Sequence, residues 1–254
     1  VVGRSLRNEP GLSRMARELA RSAPDRFHMP GALIEGLMAW AGLVEPPPRI
    51  AVVEVPEGTC DVAPRSEGCA GAIDALAAEL GGLLPEAGEG WVGVGIAAGP
   101  GGASRLLVAI TERTVTLEPI AAEVGLGAKV EVRGRLLAGR RAPRVEVVDA
   151  NGRWAPAAVR SGRGGELSAS LTCAARGAMR VEVLAEGPHG PEVAANFPVH
   201  CGVQAPRSLS VTIERVEAGV DVAAIERANF DALNYARTQR GLAPLAWDNA
   251  AAAV

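Results

Sequence analysis

Few residues in this chain could carry chemistry. Three histidines, His28, His189 and His200, are the side chains whose ordinary pKa suits a neutral-pH base. A metal or general-base site would need them at ligand spacing from one another or from carboxylates. None is so placed: His28 lies in Arg26-Phe27-His28-Met29-Pro30, His189 in Gly187-Pro188-His189-Gly190-Pro191, and His200 beside Cys201. A solvated or locally hydrogen-bonded imidazole accounts for each. With no Gly-x-Ser-x-Gly elbow and no cysteine that has a separate histidine partner, nucleophilic catalysis has no support in the sequence. No residue is assigned a catalytic, cofactor-binding or metal-ligating role, and no cofactor is expected.

Gly93-Val94-Gly95-Ile96-Ala97-Ala98 matches the dinucleotide fingerprint G-x-G-x-x-A. That motif works only where its glycines open a helix whose N-terminus meets pyrophosphate. Here the following glycine turn, Gly99 to Gly102, leads into a second apolar strand, so strand twist and close backbone packing explain these glycines better. The arginine runs Arg133-Gly134-Arg135 and Arg140-Arg141 are interleaved with acids and read as a solvated strand face.

The four cysteines, Cys60, Cys69, Cys173 and Cys201, form two sequence-local pairs without C-x-x-C spacing. Two disulfides, which imply an oxidising compartment, are preferred over free buried thiols. Thiol titration under denaturing conditions separates the two.

The 254 residues exceed the usual size of one domain, and an apolar share of 48% is ample for packed cores. A formal charge of -3 gives no case for nucleic acid or an anionic membrane as partner. Aromatics at 3% leave few stacking platforms for bases or sugars. Lys129 is the one lysine, and with the abundant Ala and Gly this reflects a GC-rich coding sequence. No run is long and apolar enough for a transmembrane helix. The opening residues are not a signal peptide, and the absence of an initiator Met suggests a fragment or a processed chain, which leaves export open.

Apolar residues at helical spacing predict helices over 10–23, 32–43 and 70–84, with a strand at 50–55 and an antiparallel hairpin of 91–97 and 106–110. A third strand over 115–120 would continue that meander. Past Gly125 the pattern turns to strands alone, at 129–136, 144–148, 157–160, 166–172, 178–185 and 193–199, the mark of a small immunoglobulin-like sandwich. A Cys173–Cys201 bridge would tie two of its strand ends. The expected organisation is multidomain α+β. An α+β domain spans 1–124, the all-β sandwich 125–205 and a linker 206–222, and a helical unit at 223–254 ends unfinished.

That last unit carries a resemblance. Asn234-x-x-Arg237 on a helix, followed by Gly241-Leu242-x-Pro244-Leu245-x-Trp247, is similar to the opening of CAP-superfamily domains, the SCP-like extracellular family of cysteine-rich secretory proteins. On physical grounds Gly241 caps the helix, Pro244 fixes a turn, and Leu245 and Trp247 are apolar anchors for a second, alanine-rich helix. The resemblance implies an α-β-α sandwich whose cleft binds a divalent metal through histidines and acids. The first such histidine would follow Val254, so no site residue of the family is carried over. Trp91 to Ala97 echoes the closing hairpin of the same fold. The first domain is then either a degenerate copy lacking the cleft histidines or an α+β domain of another kind.

These readings point to a secreted or cell-envelope bacterial protein. Residues 1–254 would serve as a non-catalytic scaffold and binding region for a protein, glycan or lipid. Two alternatives stand beside this: a metal-dependent hydrolase whose active site lies in the remainder of the CAP domain, and a purely structural envelope protein.

Overall fold

The computed structural model describes residues 6–23, 29–56, 67–80, 90–98, 103–137, 139–212 and 221–249. The chain divides into two units, Val1–Val211 and Thr212–Val254. The first begins with strand β1 (Leu6–Asn8), helices α1 (Pro10–Ser22) and α2 (Gly31–Ala41), strand β2 (Arg49–Pro56), helix α3 (Glu67–Leu80) and strands β3 (Gly90–Ala98) and β4 (Ala103–Glu112). Its sheet has the order β1-β3-β4-β2, with β1 parallel to β3 and the other pairs antiparallel.

Helices cover both faces of this sheet. Leu12, Met15, Ala16, Leu19 and Ala20 recur at helical spacing along α1 and are wholly buried against Val52, Leu107 and Ala109. On the opposite face Leu76 of α3 packs on Ala51, Val108 and Ile110. β4 is therefore buried on both sides, which is why Leu106 to Ile110 is unbroken apolar sequence. α1 is framed by Pro10 in its first turn and by the Glu9 carboxylate, which accepts the Gly11 N–H at 3.1 Å. α2 stops at Gly42, whose φ of 74° is the left-handed cap.

The second part of this unit is a β-sandwich. β5 (Val115–Leu117), β7 (Lys129–Leu136), β10 (Val159–Ser161) and β11 (Glu166–Thr172) form one sheet, ordered β10-β11-β7-β5. β6 (Glu123–Val124), β8 (Arg141–Val148), β9 (Trp154–Ala157), β12 (Gly177–Gly187) and β13 (Gly190–Cys201) form the other, ordered β6-β13-β12-β8-β9. Val132, Leu167 and Leu171 of the first sheet meet Val145, Val181, Val183 and Val199 of the second in one core. The disulfide Cys173–Cys201, with Cα atoms 5.4 Å apart, joins the end of β11 to the end of β13 and so ties the two sheets together. Closing its loop of 28 residues contributes about 3–4 kcal/mol through the unfolded chain.

Two expectations change. The strand expected over 115–120 does not extend the hairpin of β3 and β4: Val115–Leu117 pairs with β7 and belongs to the sandwich. The apolar pattern of such a segment does not say which sheet will take it. The strand expected at 157–160 is two short strands, β9 and β10, which lie in different sheets, so the chain changes sheets at Ala158. A 3₁₀ turn, Arg163–Gly165, also interrupts the all-strand region.

Candidate functional site

The residues singled out by the family resemblance come together. In the second unit α4 (Val222–Thr238) starts at Asp221, whose carboxylate accepts the Ala223 N–H at 3.0 Å. It closes through a double turn in which Gly241 N–H donates to Thr238 C=O and Leu242 N–H to Arg237 C=O, both at 3.0 Å. This is the Schellman arrangement, and it needs the left-handed φ of 71° that Gly241 supplies.

Residues 242–248 then run back along the helix. Arg237 Nε donates to Ala243 C=O at 2.9 Å. The Asn234 amide donates to Leu245 C=O at 3.1 Å and accepts the Leu245 N–H at 2.7 Å, acting as a neighbouring strand would. Trp247 stands edge-on to Phe230 with ring centroids 5.0 Å apart, and Arg227 lies over its ring at 4.7 Å. Residues 237, 234, 230 and 227 descend one face of the helix at about 5.4 Å per turn. Positions 243, 245 and 247 advance by about 6.6 Å per pair. The two spacings nearly match, so each turn of helix finds one strap residue. Pro244 sits between two clasped positions and has no N–H of its own to satisfy.

Asn234, Arg237, Gly241, Pro244, Leu245 and Trp247 thus build one helix-and-strap clasp that holds a conformation rather than performing a reaction. No α4 side chain is buried, and Leu245 is 44% exposed. The second, alanine-rich helix expected from the sequence falls on residues beyond Asn249, which lie outside the described ones.

The cysteine readings divide. Cys173 and Cys201 are bridged and fully buried. Cys69 is disulfide-bonded and packs with Val55, Ala72 and Leu106, while Cys60 lies outside the described residues. His28 and the turn 99–102 also lie outside them. His189 is exposed in the β12–β13 turn, and His200 is buried in β13, its backbone N–H bonded to Ala122 C=O at 2.8 Å. Among the described residues, no three His, Cys, Asp or Glu converge as a metal site would require.

Gly93 and Gly95 answer to packing. A Cβ on Gly93 would fall 2.3 Å from the Leu12 carbonyl carbon, and one on Gly95 would fall 2.2 Å from the Arg17 amide nitrogen. α1 lies on bare backbone, at its mid-section and not with its N-terminus aimed at a phosphate.

Several polar residues escaped the sequence reading. Arg105, 2% exposed, pairs with Glu54 across the sheet at 2.6 Å and donates to the Ala20 and Ala23 carbonyls at the end of α1. Arg113 bonds Glu45 at 2.5 Å and Glu9 at 3.2 Å and stacks over Trp91 at 4.2 Å. Arg140, expected with Arg141 on a solvated strand face, is instead 9% exposed at its side chain and bridges Glu192 at 2.5 Å and Glu112 at 2.9 Å, because those two carboxylates come to it from distant strands. Burial opposes its charge, but hydrogen bonding and attraction from these two carboxylates outweigh that and raise the guanidinium above its usual pKa. Arg140, Arg180–Glu35 at 3.0 Å and the Asn196 N–H to Val44 C=O bond at 2.7 Å fasten the α/β layers to the sandwich, while the Arg113 network ties Glu9, Glu45 and Trp91 together within the α/β layers. The available signal was a buried-strand pattern broken by one arginine, Arg105 ahead of Leu106 to Ile110. The partners come from distant sequence.

At the bridged end of the sandwich a shallow open hollow is lined by Glu123, Gly125, Arg176, Gly202 and Gln204. The Glu123 carboxylate on its wall accepts the Ala205 N–H at 2.8 Å.

No family model matches the chain, and no curated protein matches it. Among solved structures, a DUF4785 family protein from Legionella pneumophila is 9% identical over 38% of this chain and 32% of its own, with a TM-score of 0.27. The chain therefore spans about a third of that protein's length. The fibronectin(III)-like modules of Clostridium thermocellum CbhA are 18% identical over 35% of this chain and 98% of theirs, TM-score 0.27. CopC from Methylosinus trichosporium OB3b is 16% identical over 35% of this chain and 97% of its own, TM-score 0.25.

Proposed function

We propose that this chain is part of a secreted or envelope-located bacterial protein, in which the α/β layers and the immunoglobulin-like sandwich form a non-catalytic scaffold and binding region ahead of the opening of a CAP-superfamily domain. The observation that carries this reading is the clasp. Asn234 bonds both backbone groups of Leu245, Arg237 holds Ala243, and Trp247 seats on Phe230. Each motif position thus has a physical task, which favours the family over a generic helical turn. The buried Cys173–Cys201 bridge supports an oxidising compartment. Binding is assigned to the sandwich loops beside that bridge, where exposed Arg176 and the hollow offer surface to a protein, glycan or lipid headgroup.

Fractionation of the source cells tests the compartment. Recovery from the envelope or medium with Cys173 and Cys201 oxidised supports the proposal, and recovery from cytosol with both reduced overturns it. The coding sequence downstream of Val254 tests the family. A cleft histidine soon after the second helix begins supports it, and a continuation without one overturns it.

A further inference from the structure

Trp154 is 59% exposed in a chain poor in aromatics, and its ring is held in place. Val145 and Val147 of β8 pack in the core, so Glu146 and Val148 face outward, and Trp154 of β9 sits opposite Val148 on that outer side. From there its Nε1 donates to the Glu146 carboxylate at 2.8 Å, which carries the ring from its own strand toward β8. The only polar atom of the indole is thereby spent, and what it leaves to solvent is apolar ring. Trp40 is equally exposed, but among the described residues its indole makes no such bond.

Trp154 lies at the same end of the sandwich as the hollow beside the bridge. Val148 also pairs with Arg180 of β12, and Arg176 immediately precedes that strand, so strand spacing and rise put Trp154 and Arg176 roughly 16 Å apart. The ground between them is low. Val148 and Ala178 have short side chains, Gly202 has none, and Arg180 is committed to Glu35 at 3.0 Å.

The hollow offers both kinds of hydrogen-bonding group. Arg176 only donates, the Gln204 amide donates and accepts, and Glu123, whose Oε1 already takes the Ala205 N–H, has Oε2 left to accept. A hydroxyl donates and accepts, so a chain of hydroxyls satisfies all three. A phosphate would meet like charges at Glu123 and, beside Trp154, at Glu146, which argues against a lipid headgroup or nucleic acid. A protein anchor sits inside an apolar ring that excludes water, whereas Trp154 has Glu146 at its edge and Glu182 opposite that. A sugar answers both requirements, with C–H faces that lie on an indole and hydroxyls around its rim.

We propose that this end of the sandwich binds an uncharged polysaccharide. One sugar ring stacks on Trp154, and the chain runs across Val148 and Ala178 to hydroxyl contacts with Arg176, Glu123 and Gln204. The proposal rests on the reading of the sandwich as a binding region and narrows its ligand to a glycan.

Affinity electrophoresis of the whole chain tests this, in gels holding soluble β-glucan, xylan or galactomannan as neutral probes and heparin as the anionic one. Retardation by a neutral probe is expected, and Trp154→Ala should raise its dissociation constant at least about tenfold. Trp154→Phe keeps a stacking face and loses only the bond to Glu146, so it should stay within about threefold of wild type. Arg176→Ala should weaken binding at least about fivefold without moving the denaturation midpoint. Retardation by no neutral probe, an unweakened Trp154→Ala, or equal weakening by Trp154→Ala and Trp154→Phe overturns the proposal. Retardation by heparin alone that Arg176→Ala abolishes strikes the glycan and leaves the binding region standing. A chain that neither these polymers nor phosphatidylglycerol vesicles retain strikes both.

Discussion

α1 against β3 and the strap against α4 are both cases of a helix with an extended segment laid along it, and they are held by opposite means. In the first, side chains are removed: Gly93 and Gly95 let helix backbone meet strand backbone inside a core where Leu12, Met15 and Leu19 are fully buried. In the second, side chains are added: Asn234, Arg237 and Trp247 reach across to the strap, and no α4 residue is buried. The first contact draws its stability from excluded water and close packing, so it tolerates no added volume. The second depends on directional bonds, so it tolerates volume but not the loss of a donor or acceptor.

The sharpest way to break the first contact is Gly95→Val. The new Cβ meets backbone atoms at 2.2–2.5 Å, which no rotamer change can relieve, so α1 must lift from the sheet. A loss of more than about 4 kcal/mol is expected, read by chemical denaturation as failure to reach a folded baseline. The same volume added at Gly71 of α3, where a Cβ meets nothing within 4 Å, is expected to leave the transition in place. Removing the Cys173–Cys201 bridge by a double Ser substitution comes next, at about 3–4 kcal/mol, seen as a lower denaturation midpoint. Arg105→Met follows, at about 2–3 kcal/mol. It keeps the side-chain volume but strands the Ala20 and Ala23 carbonyls, and a hydrogen-exchange map should show the last turn of α1 opening first.

These contacts also divide what the sequence made legible from what it did not. Leu12, Met15, Ala16 and Leu19 announce α1 because a helix repeats its buried face every three or four residues, a purely local signal. At the clasp the sequence named the positions and read Gly241 as the cap, but Leu245 and Trp247 were expected to anchor a second helix, and the bonds that Asn234 and Arg237 make to the strap were not read. The glycines of β3 were read as packing residues, but the helix they admit lies some eighty positions earlier. Arg105 and the networks of Arg113 and Arg140 were missed for the same reason: a buried charge is explained by its partners, and periodicity is silent about them. Val115–Leu117 shows the limit for strands. Its composition indicates a strand, while the sheet it joins is decided by pairing with β7.

The smallest effect belongs to the second contact, and it discriminates best between the two kinds of adhesion. Asn234→Ala deletes both bonds to Leu245 while leaving the helix intact, because alanine suits the helix better than asparagine does. Global stability should fall by no more than about 1 kcal/mol, since the groups set free are accessible to water. The local readout is larger in contrast: amide exchange at Leu245 should quicken about fivefold while exchange within α1 stays unchanged. Asn234→Asp keeps the acceptor for the Leu245 N–H and loses only the donor to its carbonyl, so it should fall between the two. If Asn234→Ala instead unfolds the unit cooperatively, the strap is held as α1 is held, by burial, and the contrast drawn between the two regions fails.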